Sequence, residues 1–147
     1  MSKKFKTYEE ELRSLEIGLK MAADTIEKLK DDSWYDRLKE EHSAIEKERQ
    51  DLLHYAELVN FNASEGYRIA KELKENAIKR RAITDLIDLV IAIRSVAKDS
   101  KCPTDKFLKF SSKAISESRE KRQKRGYALR VRRDLKPIME SKGVKVY

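Results

Sequence analysis

The chain predicts an all-α protein: a long antiparallel, coiled-coil-like helical hairpin, a third long helix, and a basic C-terminal helical extension. Three observations carry that reading. Of 147 residues, 41% are charged, four are Gly and two are Pro, so little interrupts a helical backbone. Apolar residues recur at alternating steps of three and four over long stretches. Side-chain capping signatures separate those stretches. No run suggests a sheet.

The first stretch sets Phe5, Tyr8, Leu12, Leu15, Leu19, Ala22, Ile26 and Leu29 on one heptad seam, which predicts helix 1 over 5–30. Glu9, Glu10 and Glu11 suit the positive end of its dipole. Asp31-Asp32-Ser33 breaks the pattern, and Ser33 followed by Asp36 is an N-cap signal for helix 2, Trp34 to Val59. Its seam is Leu38, His42, Ile45, Arg49, Leu52, Ala56 and Val59, with His42 and Arg49 as polar register markers or snorkelling side chains. A break of about three residues between long helices favours an antiparallel hairpin, so helices 1 and 2 are expected to pair.

Asn62 and Glu65 repeat the capping signature and start helix 3. The alternative is one bent helix through Phe61, because the junction has neither Gly nor Pro. Tyr67, Ala70, Leu73 and Ala77 form one stripe. From Ile83 to Ala97 apolar residues spread round the helix, which must then be covered on most sides. That stretch is either the bundle centre or half of a subunit interface, and a homodimer is expected. Pro103 and a Thr104 cap restart a helix whose apolar patch, Phe107 to Ile115, should dock on the bundle. Gly126 is a helix stop. The chain thus divides into a helical hairpin bundle over 1–100 and a basic helical segment over 101–147.

Charge follows the same division. Residues 1–100 hold 19 Lys/Arg and 21 Asp/Glu, and residues 101–147 hold 15 and 5, a net of +10. This asymmetry is the strongest functional signal in the composition. The longest apolar run, Leu86 to Ile93, is interrupted by Asp88 and is far short of the roughly 20 residues that span a bilayer. No membrane association is expected. The one cysteine, Cys102, has no internal disulfide partner, and no N-terminal apolar segment suggests export. A cytoplasmic location is expected.

Catalytic and metal chemistry find little support. There is no Gly-rich phosphate loop, nucleophile elbow or zinc spacing. His54-x-x-Glu57 reverses the usual order of a bundle metal motif, and no second histidine pair completes a site. Neither catalytic residues, a metal nor a cofactor are expected. The basic segment stands apart. Arg119, Lys121, Arg122, Lys124, Arg125, Arg130, Arg132 and Arg133 surround one acid, Glu120, and six of these eight are Arg, which pairs bidentately with phosphate. Tyr127 lies among them and is suited to stack on a base. DNA or RNA is the expected partner. A solvated basic face and an acidic protein surface are the competing readings. Arg80 and Arg81, mid-helix, are either surface arginines or a bracket holding the C-terminal segment to the hairpin.

Several stretches carry a resemblance. Leu53-His54-Tyr55 with Glu57, Ala63-Ser64-Glu65-Gly66-Tyr67, and Lys79-Arg80-Arg81-Ala82-Ile83 with Asp85 are followed by Arg125-Gly126-Tyr127-Ala128-Leu129-Arg130-Val131. Together they resemble a loose group of small helical proteins encoded by phages and prophages of Gram-positive bacteria, over about two-thirds of the chain. The resemblance implies a phage-derived cytoplasmic protein and supplies no chemistry. The expected function is a non-catalytic regulatory or accessory protein that binds nucleic acid through its basic third. The alternative is an adaptor or inhibitor acting on a host or phage protein through its helical surface.

Overall fold

The computed structural model describes residues 8–99 and 101–147, without the side chains of residues 8, 9, 11 and 12. It is all-α: α1 Tyr8–Lys30, α2 Asp32–Leu58, α3 Ala63–Lys98, α4 Thr104–Gln123, and a short α5 Lys136–Ser141 preceded by a 3₁₀ turn at Arg133–Leu135. The expected start of helix 1, over 5–7, lies outside the described residues.

The hairpin forms, but between α2 and α3. The cap of α2 is Asp31 and not Ser33: its carboxylate accepts from the Ser33 amide at 2.9 Å and the Ser33 hydroxyl at 2.8 Å. Moving the cap two residues upstream leaves Asp31 as the one non-helical residue between α1 and α2. An antiparallel reversal needs a loop of about two to five residues, so α1 and α2 do not fold back on each other. Both lie against α3. The four residues 59–62 allow the reversal that one residue does not.

The second reversal is capped as expected. Asn62 accepts from the Glu65 amide at 2.9 Å, and Glu65 accepts from the Asn62 amide at 3.0 Å, closing a capping box. The Phe61 ring lies over Gly66, where a Cβ would come within 3.0 Å of it. Phe61 occupies the residue before the cap and Gly66 the fourth helical position, the two sites of a hydrophobic staple. Here the ring crosses the backbone directly. Helices 2 and 3 are therefore separate.

The 36 residues of α3 make a rod of about 54 Å. Its buried residues Ile69, Asn76, Ile83, Val90 and Ala97 fall seven apart, with the half-buried Leu73, Arg80 and Ile87 and the buried Arg94 between them. This is a heptad seam facing α2, and three of its positions are polar. Asn76, 2% exposed, donates to the Ile45 carbonyl at 3.0 Å and to the Glu48 carboxylate at 2.7 Å. Arg80 reaches Glu46 at 3.2 Å. Arg94 donates to the Leu29 carbonyl at 2.9 Å, pairs with Asp32, and lies over the Tyr35 ring at 4.4 Å. Asp32 also accepts from Lys98 at 2.7 Å, and hydrogen bonds from Lys98 and then Arg94 hold its carboxyl below the usual aspartate range.

The face of α3 opposite this seam takes α4, which runs antiparallel: Phe107 lies near Val96, Ala114 near Ala92, and Ser118 near Asp85. The expected docking of the Phe107–Ile115 patch is observed in part: Phe107 and Ala114 lie against α3, while Leu108 at 56%, Phe110 at 42% and Ile115 at 37% stay exposed. Ile91 at 52% and Leu86 at 40% stay exposed. Among the described residues no helix is long and apolar enough to cross a membrane.

Two substitutions on the seam should move stability in opposite directions. Arg94→Ala removes a buried side chain that joins three helices, and should cost about 2–3 kcal/mol in denaturant unfolding. Asn76→Leu removes a buried amide whose oxygen has no partner. It should raise the unfolding midpoint while weakening the preference for one register, seen as broader amide dispersion in α2.

Candidate nucleic-acid interface

The basic third begins on α4 and ends in a compact hook. After Gln123 the chain leaves the helix, and Tyr127 pairs with the C-terminal residues. Its amide donates to the Lys145 carbonyl at 2.9 Å, and the Tyr147 amide donates to the Tyr127 carbonyl at 2.9 Å. The Tyr147 hydroxyl donates to the Lys124 carbonyl at 2.8 Å. Gly126 lets the Tyr147 ring lie against the backbone, because a methyl group there would overlap the ring as it stands. Its role is therefore close approach beyond the helix end. Gly143, at φ +78°, ends α5 in the left-handed region and turns the chain back toward Tyr127.

The hook is tied to the bundle by Arg125, which grips Asp85 of α3 with two hydrogen bonds of 2.6 and 3.2 Å. Both partners are partly buried, at 30% and 20% side-chain exposure. The hydrogen bond from Arg125 is the main cause that holds the Asp85 carboxyl below its usual value, with the charges of Arg125, Arg122 and Lys121 adding to it against partial burial. The bracket expected of Arg80 and Arg81 is made instead by this pair, one turn further on. Arg80 serves the α2–α3 hairpin. Arg81 lines the grooves on both sides of Arg125, beside Tyr127, Met139 and Lys145.

The nine residues singled out in the sequence separate by role. Arg125 is committed to Asp85. Arg132 is held by Asp134 through hydrogen bonds of 2.6 and 2.9 Å, Lys124 pairs with Glu120, and Lys121 lies 4.0 Å from Asp88. Arg119, Arg122, Arg130 and Arg133 are exposed and have no ion-pair partner among the described residues. Tyr127 is 58% exposed, with its backbone fixed by the bridge to Val146. Arg81, singled out as a possible bracket to the C-terminal segment, lines this surface, and so does Lys145, which nothing in the sequence marks. That follows from the hook turning back on α3.

His54 is exposed, with Nδ1 3.5 Å from Glu57, and His42 is half-buried, 4.0 Å from Glu46. No group of three metal-ligating side chains occurs among the described residues.

Acid should release the hook locally. A carboxyl with a depressed pKa contributes stability above its ordinary value near 3.9, and that contribution is lost as pH falls through the folded value. The amides of Tyr127 and Tyr147 should therefore lose hydrogen-exchange protection on acidification from about pH 5 toward pH 2. Asp85→Asn should remove that pH step and cost about 1–2 kcal/mol of hook protection at neutral pH. Comparison with protein-family models, curated proteins and solved structures gives no match to this chain.

Proposed function

We propose that the protein is a non-catalytic, phage-type accessory or regulatory protein that binds nucleic acid through its basic C-terminal third. The observation that carries this reading is the set of four exposed arginines, Arg119, Arg122, Arg130 and Arg133, that form no ion pair among the described residues, where residues 101–147 hold 15 basic and 5 acidic residues. Cations already neutralised inside the fold add little to phosphate binding, so the free ones set the strength. Arg119 and Arg122 stand on the last turns of α4, while Arg130 and Arg133 flank the loop before α5. Tyr127, 58% exposed in the hook beside Arg81 and Lys145, offers a ring for stacking.

A second reading, binding of another protein through the helical surface, is favoured by Leu15, Leu19 and Met21, which stand exposed on α1.

Four phosphate contacts on duplex DNA imply a slope of log affinity against log salt of about −3.6, and about two orders of magnitude lost between roughly 50 and 200 mM salt. Replacing Arg119, Arg122, Arg130 and Arg133 with Gln should flatten the slope by about 3.6 units without changing helical content. Fluorescence anisotropy over a salt series measures both. Absence of binding at low salt, or an unchanged slope in the variant, would sink the nucleic-acid reading. A partner protein retained after nuclease treatment would favour the second.

A further inference from the structure

Two grooves meet at Arg81 and Arg125, and both join apolar linings to unpaired cations. The first lies between α3 and α4 and holds about 410 Å³. Ile78, Ala82, Leu86 and Leu89 line it from α3, with Arg81, Arg122 and Arg125 among them. The second lies between α3 and the hook and holds about 370 Å³. Tyr127, Met139 and Val144 line it with Arg81, Arg125 and Lys145. Ile78, Leu86, Tyr127 and Val144 are exposed, so the apolar linings are open to solvent.

The charge is one-sided. Arg81, Arg122, Arg125 and Lys145 line the two grooves against a single acid, Asp85. Asp85 is already held by the two hydrogen bonds from Arg125. Arg81, Arg122 and Lys145 form no ion pair among the described residues. Arg122 donates to the Ser118 carbonyl at 3.4 Å, and Lys145 lies over the Tyr147 ring at 5.1 Å. Toward Ala92 the α3–α4 surface turns acidic, with Asp85, Asp88 and Glu117 around Lys121. The positive track therefore runs from Arg122 through Arg81 to Lys145, across α3 into the hook.

A duplex turns its bases inward and presents phosphates. It would meet the free guanidiniums and leave the apolar linings uncovered. A single strand offers partners for both: phosphates for the cations, and unstacked bases for Tyr127 and the Ile78–Leu86 lining. The Tyr127 backbone is fixed by its hydrogen bonds to Lys145 and Tyr147, so the ring is presented without a loop having to order on binding. Arg119, Arg130 and Arg133 lie outside the two linings and extend the positive surface along α4 and the hook, which suits a polyanionic chain.

We infer that the ligand is a single strand of DNA or RNA laid through these two grooves, an inference that rests on the nucleic-acid reading above. Its bases lie against Tyr127 and the α3 lining, and its phosphates against Arg81, Arg122 and Lys145. The binding surface thus reaches beyond the C-terminal third onto α3.

Fluorescence anisotropy on the full chain tests this with three probes: a DNA strand of mixed sequence, the RNA strand of the same sequence, and the DNA duplex. At least one of the strands should bind about tenfold or more tighter than the duplex at equal salt. Tyr127→Ala should weaken strand binding by about tenfold without altering the salt slope, and Tyr127→Phe should restore it. Arg81→Gln/Lys145→Gln should flatten the strand's slope by about 1.4 units. Hydrogen-exchange protection of the Tyr147 amide, kept in each variant, shows that the hook is still closed. A duplex bound as tightly as both strands would overturn the inference and leave the nucleic-acid reading standing. Strand binding unmoved by Tyr127→Ala, or a slope unmoved by Arg81→Gln/Lys145→Gln, would overturn it in the same way. Binding of neither strand nor duplex at low salt overturns both, and leaves the grooves to an acidic protein segment.

Discussion

Every long helix of this protein packs on α3, and the polar residues in the α3 seam decide how. An all-apolar heptad seam tolerates sliding by a repeat, because one leucine layer replaces another at little cost. Asn76, Arg80 and Arg94 do not allow that. Each needs a particular partner: the Ile45 carbonyl and Glu48, Glu46, and the Leu29 carbonyl with Asp32. A slip would leave a buried amide and a buried guanidinium unpaired, each costing on the order of 1–3 kcal/mol or more. Arg94 has the widest reach. It joins the end of α1, the start of α2 and the α3 rod, and its flat guanidinium covers the Tyr35 ring. The direction in which α1 leaves the bundle follows from that one cluster.

The C-terminal third depends on the same rod through Asp85. Because α4 runs antiparallel to α3, its last turn arrives one helical turn past Arg81, where Arg125 meets a carboxylate that is itself half-buried. The hook then closes on its own backbone, with the Tyr147 ring against Gly126. One consequence concerns charge. The basic segment reads as a uniform run, yet half of its eight cations are answered by Asp85, Asp88, Glu120 and Asp134. Another concerns two stretches far apart in the sequence, 79–85 and 125–131. They meet in space, and Asp85 and Arg125 are the residues that touch.

Charge asymmetry along the chain also takes on a spatial meaning. A groove lined by Ile78, Arg81, Asp85 and Arg122 runs along α3 beside the end of α4. The basic hook sits beside that groove, at Arg81 and Arg122. The proposed nucleic-acid binding would draw on Arg122 at the mouth of that groove.

The sequence by itself determined the helical elements and most of their ends. A capping box, a proline restart and a 3-4 apolar period are written in a few adjacent residues, and Asn62–Glu65 and Pro103–Thr104 form where those signals stand. It also determined that the C-terminal third is basic. What only the tertiary structure decided was which helices pair and which charges stay free. The shift of one cap from Ser33 to Asp31 shortened a loop to a single residue and moved the hairpin from α1–α2 to α2–α3. That choice rests on a competition between two neighbouring hydrogen-bonding side chains, too close in energy to read from their types. The division of the arginines rests on contacts such as Arg125 to Asp85, forty residues apart. Ion pairing depends on distances of a few ångströms, which the order of residues along a chain does not specify.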